Sequence, residues 1–372
     1  MSLEHFTIVS GVVRTGDGQG RVNLEVVREA LRQGVAVTIV ASEIAPELVA
    51  DEKVEWLRVS VSGLPSYLLR ERAFSALSSR LLKRRRRGPL LSNGCVTGVP
   101  ADVNACHFVH SSWLASPVHP GRLSGGAKAL YYRFYSAVNA RLEKVAYKSA
   151  GVVVAVSDQV KSELSAVGIP PAKILTIPNG VDTDEFRPRP GERSRFDLPE
   201  SVPLALFAGD LRSPRKNLDS VLKALVQVPG MHLAVAGWLE SSPYPAMSAA
   251  MGLSDRVHFL GNIREMPLLM ASCDVFAFPS RYEACSLVML EAMAAGLPVI
   301  TSKITGGSEL VPRDGGYLLE HPDDVDSLVG FLQAVCSDAP RLEGMSRAVR
   351  ARALELRWDE MGRKYLNLLG GI

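Results

Sequence analysis

Short apolar runs recur along the whole chain with helix-like stretches between them, and this alternation constrains the fold more than any other feature. In the first half the strand candidates are residues 6–9, 35–40, 54–61, 90–92, 103–109, 151–156 and 174–177. Several are continuously apolar, the pattern of parallel strands covered on both faces. Residues 21–33 read as a helix, stopped by Gly34. Residues 188–203 hold Pro188, Pro190, Gly191, Pro199 and Pro203 among charges, and read as a surface linker. The same grammar then restarts, with strand candidates at 204–208, 232–236, 257–260, 275–278, 298–301 and 317–319 and helices such as 218–226 and 287–295. Strand and helix alternating in two blocks predict two doubly wound α/β domains. The length of 372 residues agrees, at about 150 residues per domain. Such sheets bind ligands beyond the carboxyl ends of their strands, so two that face each other would make a cleft. The helical stretch 338–369, with Trp358, is a candidate to cross back onto the first domain.

Composition removes several classes. Apolar residues are 47% and charged residues 22%, which excludes general disorder. A formal net charge of +3 is too small for a chain defined by nucleic-acid binding. Cys95, Cys106, Cys273, Cys285 and Cys336 show no paired spacing, so reduced cytosolic thiols are expected and no zinc site. No signal peptide is evident at the start, and no run of 18 apolar residues exists to span a membrane.

The most informative segment is FPSRYEACSLVMLEAMAAGLPVITSKITGGSEL, residues 278–310. A strand ends near Phe278, Pro279 and Ser280 turn the chain, and a helix starts near Ser286. First-turn amides lack internal partners and carry the positive end of the helix dipole, so they suit a diphosphate. Glu291 then lies one to two turns in, where it can accept from a ribose diol. Glu283 precedes the helix, near whatever the diphosphate carries. A lone capped helix with two solvated glutamates is the bland explanation, and the conjunction with Pro-Ser and the Ala-Gly-Leu-Pro exit weighs against it.

This segment resembles the signature of retaining glycosyltransferases of family four, which have the GT-B fold. EAMAAGLPVI at 291–300, GGSELV at 306–311 and IPNGVDTDEF at 177–186 carry the resemblance, which covers nearly the whole chain and is strongest over 157–311. It implies two Rossmann-like domains facing across a cleft: an acceptor-side domain at 1–190, a nucleotide-sugar donor domain at 200–355, and a terminal helix at 356–372. It implies transfer of a sugar from a UDP- or GDP-linked donor to a hydroxyl acceptor, a glycan or glycolipid of envelope polysaccharide synthesis, by a cytoplasmic hexosyltransferase peripheral to the inner face of the membrane. It implies no cofactor and no metal, fixed cations and helix amides taking the metal's place; no paired-aspartate metal motif argues otherwise.

The resemblance also assigns residues. Glu291 holds the ribose and Glu283 the sugar hydroxyls. Amides near Ser286, Leu287 and Val288 help hold the diphosphate. Residues 261–264, with Ile263, lie at the base. In AGDLRSPRKNL, after the strand end at Gly209, Lys216 matches the family lysine, but Asp210 stands where the family has an arginine. Arg215 or Arg212 is then the compensating cation, and a cationic pair beside a helix start neutralises a diphosphate leaving group. His107 matches a histidine that points at the transferred sugar, with His110 as the alternative. Gly18, in GDGQGR at 16–21, permits close backbone approach in a loop directly after a strand. Read as a dinucleotide loop, the same segment would pair with Glu43 at the ribose.

Residues 66–82 form a helix candidate with Tyr67, Phe74, Leu77 and Leu81 on one stripe, followed by a basic run at 83–87. Beside an ordinary surface helix stands a second reading, docking of 66–87 on anionic lipid. Two other classes stay in view: a silent GT-B nucleotide-sugar-binding or partner module, and an NAD enzyme resting on Gly16–Gly20 and Glu43 alone.

Overall fold

The computed structural model describes residues 3–372. It divides into two units, one of residues 1–180 with 358–372, the other of residues 181–357.

The first unit holds a seven-stranded sheet of β1 (His5–Val9), β2 (Ala36–Ala41), β3 (Val54–Arg58), β4 (Leu90–Asn93), β5 (Val103–Cys106), β6 (Val152–Ala155) and β7 (Ile174–Thr176). Its order is β3-β2-β1-β4-β5-β6-β7 and every pairing is parallel. Alternation along β1 feeds two cores. Phe6 and Ile8 pack with α1 (Gly18–Arg32) and with Tyr365, Leu366 and Leu369 of the last helix, Trp358–Gly370. Val9 turns to the other face, with Phe74 and Leu82 of α2 (Tyr67–Arg85).

The second unit holds six parallel strands, β8 (Leu204–Ala208), β9 (His232–Ala236), β10 (Val257–Gly261), β11 (Val275–Phe278), β12 (Val299–Ser302) and β13 (Gly316–Leu319), ordered β10-β9-β8-β11-β12-β13. This is the doubly wound order in which the chain reverses direction between the first and fourth strands.

Several expectations need correction. Residues 188–203 are not a linker. Arg193 bonds the carbonyls of Ser272 (2.9 Å) and Val202 (2.7 Å) and the Asp274 carboxylate (2.9 Å), so the stretch is fastened to the second unit. The chain passes between units earlier, at Gly180–Val181. Arg350 secures the segment after it, donating to Thr183, Phe186 and Ala294 carbonyls. The helical stretch 338–369 is two helices, Ala339–Leu354 and Trp358–Gly370. The basic run does not follow α2: Lys83, Arg84 and Arg85 form its last turn, where cations suit the negative end of the dipole. Arg85 pairs with Glu55 and Arg86 with Asp102. The α2 stripe splits, Phe74 buried and Tyr67 and Leu77 exposed. A two-residue pairing, Val12–Val13 with Glu43–Ile44, had no sequence signal. All five cysteines are free thiols. Among the described residues no helix is long and apolar enough to cross a membrane.

Candidate functional site

In the second unit β8 and β11 are neighbours whose chains leave toward opposite edges of the sheet. Their carboxyl ends therefore make a switch point, the place where open α/β sheets take ligands. After β8 the chain runs through Gly209 into a 3-10 turn, Pro214–Lys216, and then α3 (Leu218–Val226). Asn217 joins the two. It is fully buried with a left-handed φ of 68° and caps α3 by accepting from the Ser220 amide. Its Nδ2 donates to the carbonyls of Pro279 (2.9 Å) and Pro322 (2.6 Å).

The loop after β11 is bound to this turn at several points. The Arg215 carbonyl accepts from the Arg281 amide (2.9 Å) and from Ser280 Oγ (3.1 Å). The Arg281 guanidinium grips both Asp219 oxygens (2.9 and 2.6 Å) and Asp323 (2.8 Å). The loops carrying Lys216 and Glu283 are thus one hydrogen-bonded body.

Within it the Lys216 ammonium contacts the Glu283 carboxylate and lies 5.3 Å from the centre of the Phe278 ring. Burial first, and the adjacent Arg215 guanidinium second, draw the Lys216 pKa down to about 7. The Asp210 carboxylate opposes that pull. Arg215 is half-buried, and its guanidinium makes no ion pair or hydrogen bond among the described residues. Arg212 is different. It is exposed, and its Nε donates to Asp210 at 2.8 Å. Of the two arginines left open by sequence, Arg215 is the one beside Lys216, and it feels Asp210 only at a distance, without contact.

Helix α4 (Leu287–Ala294) begins at the same switch point, with Ser286 as its cap accepting from the Met289 amide. The expectation that the amides of 286–288 are open holds for two of the three. The Ser286 amide donates to the Gly306 carbonyl (3.2 Å), and the Gly306 amide to that of Glu283 (3.1 Å). Only glycine fits at 306, because a side chain would collide with the Ala284 carbonyl. The Leu287 and Val288 amides have no partner among the described residues. Leu287, Val288 and Glu291 form the partly uncovered face of a helix otherwise buried. Ile263 is half-buried beyond the end of β10.

In the first unit a cavity of about 430 Å³ lies at the ends of β1, β4 and β5, again at a switch point. Ser10, Arg72, Asn93, His107, His110 and Glu143 are among its walls. Asn93 Oδ1, Arg72 Nε and His107 Nε2 are buried there without a hydrogen-bond partner. Burial lowers the His107 pKa to about 4, so its imidazole is neutral. His110 is held by Glu143, Nδ1 to Oε2 at 2.7 Å.

Gly18 is the first residue of α1, not part of a loop; Asp17 caps that helix by accepting from the Gly20 amide at 2.6 Å. β1 ends at Val9, so the glycine-rich stretch does not directly follow it. Glu43 is paired with Arg14 at 2.8 Å, with both side chains exposed. Sequence reasoning missed Asn217 and Arg281, which the RKNL and PSRYE segments carry in plain view. It also missed Arg72, Asn93 and Glu143, which no motif flags.

Two doubly wound parallel sheets, each with polar groups gathered at its switch point, define a chain of the GT-B glycosyltransferase fold. The family descriptions bear on each half separately. "Glycosyltransferase Family 4" matches residues 16–185 and "Glycosyl transferases group 1" matches residues 189–352. The chain belongs to the family four, group 1 glycosyltransferases. It is 33% identical over 234 residues to D-inositol 3-phosphate glycosyltransferase of Mycobacterium avium (strain 104), covering 58% of this chain and 54% of that protein. The chain thus spans about half the length of the curated relatives it matches. In fold it is similar to WaaG, a glycosyltransferase involved in lipopolysaccharide biosynthesis (TM-score 0.78, 19% identity, 98% of this chain and 100% of that one). It is likewise similar to Anabaena HepE in complex with UDP-glucose (TM-score 0.72, 18% identity, 99% and 100%).

Proposed function

We propose that the chain transfers a sugar from a nucleoside diphosphate sugar to a hydroxyl acceptor, with retention of anomeric configuration and without a metal. One observation carries the reading: Arg215, a half-buried cation with no contact ion pair among the described residues, stands beside Lys216 at the switch point where α4 begins. That arrangement fits a diphosphate, and HepE, of the same fold, is described with UDP-glucose bound. As the bond between the anomeric carbon and the diphosphate oxygen breaks, the electron pair stays on the diphosphate. Arg215, Lys216 and the Leu287 and Val288 amides stabilise that charge. The acceptor oxygen bonds to the same face of the anomeric carbon, and its proton passes to the departing phosphate oxygen. Glu283 is then no nucleophile. It is the counter-ion that Lys216 exchanges for phosphate, and once released it accepts from sugar hydroxyls. Glu291 takes the ribose.

The first unit's cavity is assigned to the acceptor. Its unpartnered Asn93, Arg72 and His107 atoms suit a polyol, and the M. avium relative carries D-inositol 3-phosphate in its name. His107 offers Nε2 to a sugar hydroxyl. In the narrower form of this reading the acceptor is lipid-linked and α2 meets anionic lipid. Exposed Tyr67, Leu69 and Leu77 and unpaired Lys83 and Arg84 support it. Asp210, at the family's arginine position and tied to Arg212, favours a second reading, a silent nucleotide-sugar-binding module; slow donor hydrolysis by the protein excludes that reading.

Thermal stability against UDP, GDP, ADP, TDP and CDP, with NAD as control, tests the proposal. A ligand at 100 times its Kd adds about 2.7 kcal/mol. A rise with one diphosphate supports the donor site and names the base. No rise with any of them removes the reading.

A further inference from the structure

We propose that Trp238 is the platform on which the donor's nucleobase stacks. The inference rests on the reading of the second unit as a nucleotide-sugar site, and it names the group that would hold the half of the donor the cations do not reach.

Trp238 is 59% exposed, whereas Trp56, Trp113 and Trp358 are all half-buried. Scattered exposed apolar residues are ordinary, so exposure alone says little. Its placement says more. Trp238 follows β9 at the carboxyl end of the sheet, one strand, about 5 Å, from the β8 end that leads to Arg215 and Lys216. The residue before it, Gly237, has a φ of 151°, and a side chain there would collide with the Gly209 carbonyl. The Gly237 amide donates to the Gly261 carbonyl at 2.8 Å. Gly237 therefore ties the ends of β9 and β10 and lets the Gly209 carbonyl after β8 approach closely, and Trp238 follows at that rim.

The loop beyond is fixed. The Ser242 amide closes a turn on the Leu239 carbonyl (3.0 Å). Buried Tyr244 reaches Asp219 (3.4 Å), the carboxylate that Arg281 grips in the loop carrying Glu283. The loop that carries the exposed indole is braced to the diphosphate site, so stacking on it costs little backbone ordering. Every base has a π-face, which makes such a platform tolerant of base identity; hydrogen-bonding groups beyond β10 would then choose among bases.

The test titrates wild type, Trp238→Ala and Trp238→Phe with the nucleoside diphosphate that raises the melting point, and with inorganic pyrophosphate. Intrinsic fluorescence and calorimetry are read together. The proposal expects tryptophan quenching in wild type, a Kd for the nucleotide about tenfold weaker in Trp238→Ala, and a pyrophosphate Kd unchanged within twofold. Trp238→Phe should keep the nucleotide Kd within threefold and lose the quench. Equal nucleotide Kd in wild type and Trp238→Ala overturns the platform and leaves the donor site standing. Absence of nucleotide binding by wild type overturns both.

Discussion

The Lys216 ammonium lies against the Glu283 carboxylate, with both side chains mostly buried and 67 positions apart in sequence. The pair ties the loop after β8 to the loop after β11 before any ligand is present. Glu283→Gln keeps the shape and removes the charge, so Lys216 is left as a mostly buried cation beside Arg215. Breaking one side of a buried pair costs about 3 kcal/mol. The melting point should fall, and a nucleoside diphosphate should recover more of it in the variant than it adds to wild type. A variant melting like wild type would show that the pair contributes nothing.

Lys216→Ala removes one stabiliser of the leaving diphosphate. Turnover should drop by about 3 kcal/mol, roughly a hundredfold, the scale for losing one electrostatic donor to a transition state. Initial rates at saturating donor check it, and an unchanged turnover number refutes the role.

Arg215→Ala should weaken nucleoside diphosphate binding at least tenfold, since its guanidinium makes no hydrogen bond or contact ion pair among the described residues that phosphate would have to displace. Arg212→Ala should change it less than twofold, because Arg212 is exposed and already satisfied by Asp210. Calorimetric titration of both variants decides. The reverse ranking would move the phosphate contact to Arg212.

Most sheet strands were legible because they are short apolar runs, and the start of α4 because Ser286 is a strong cap. The cationic neighbours Arg215 and Lys216 were legible too, but the choice between Arg212 and Arg215 was not. It depends on Asp210 folding back on Arg212, a contact two residues long that spacing does not reveal. The stretch 188–203 was misread because proline and glycine mark irregular backbone, not free backbone; Arg193 fastens it through carbonyls distant in sequence. The first unit's cavity was illegible because Arg72 and Glu143 come from helices whose faces only tertiary packing selects.

Acid should destabilise the fold through histidine before it does so through carboxylates. Burial lowers the His107 pKa to about 4, against about 6.5 in the unfolded chain. As pH falls below 6.5 the unfolded chain takes the proton and the folded chain does not, so stability is lost between about 6.5 and 4. His232 and His258 stack with Nδ1 and Nε2 3.1 Å apart, and both pKa values are lowered by burial, so they act in the same direction. From pH 7 to 5 the His107 share is about 2 kcal/mol. Urea melts of wild type and His107→Asn at both pH values measure it. Equal losses in the two proteins would mean that His107 protonates freely in the fold.

Asn217 holds three backbone groups with one side chain at the turn before α3. It caps α3, adopts a left-handed conformation, and satisfies two buried proline carbonyls with one amide nitrogen. Asn217→Ala loses these bonds, and an alanine in that conformation costs a further 1–2 kcal/mol or so. Asn217→Gly relieves the backbone but not the carbonyls, so it should be the milder of the two by about 1 kcal/mol. Asn217→Asp keeps the cap oxygen yet sets a carboxylate against two carbonyl oxygens, and should be the worst. Because Pro279 leads directly into the Glu283 loop, Asn217→Gly should also raise the donor KM more than it lowers turnover. Chemical denaturation and steady-state kinetics of the three variants test the order. If aspartate were the mildest replacement, the amide would not be donating to those carbonyls, and the link between the α3 cap and the Glu283 loop would have to run through Arg281, Ser280 and the Lys216–Glu283 pair.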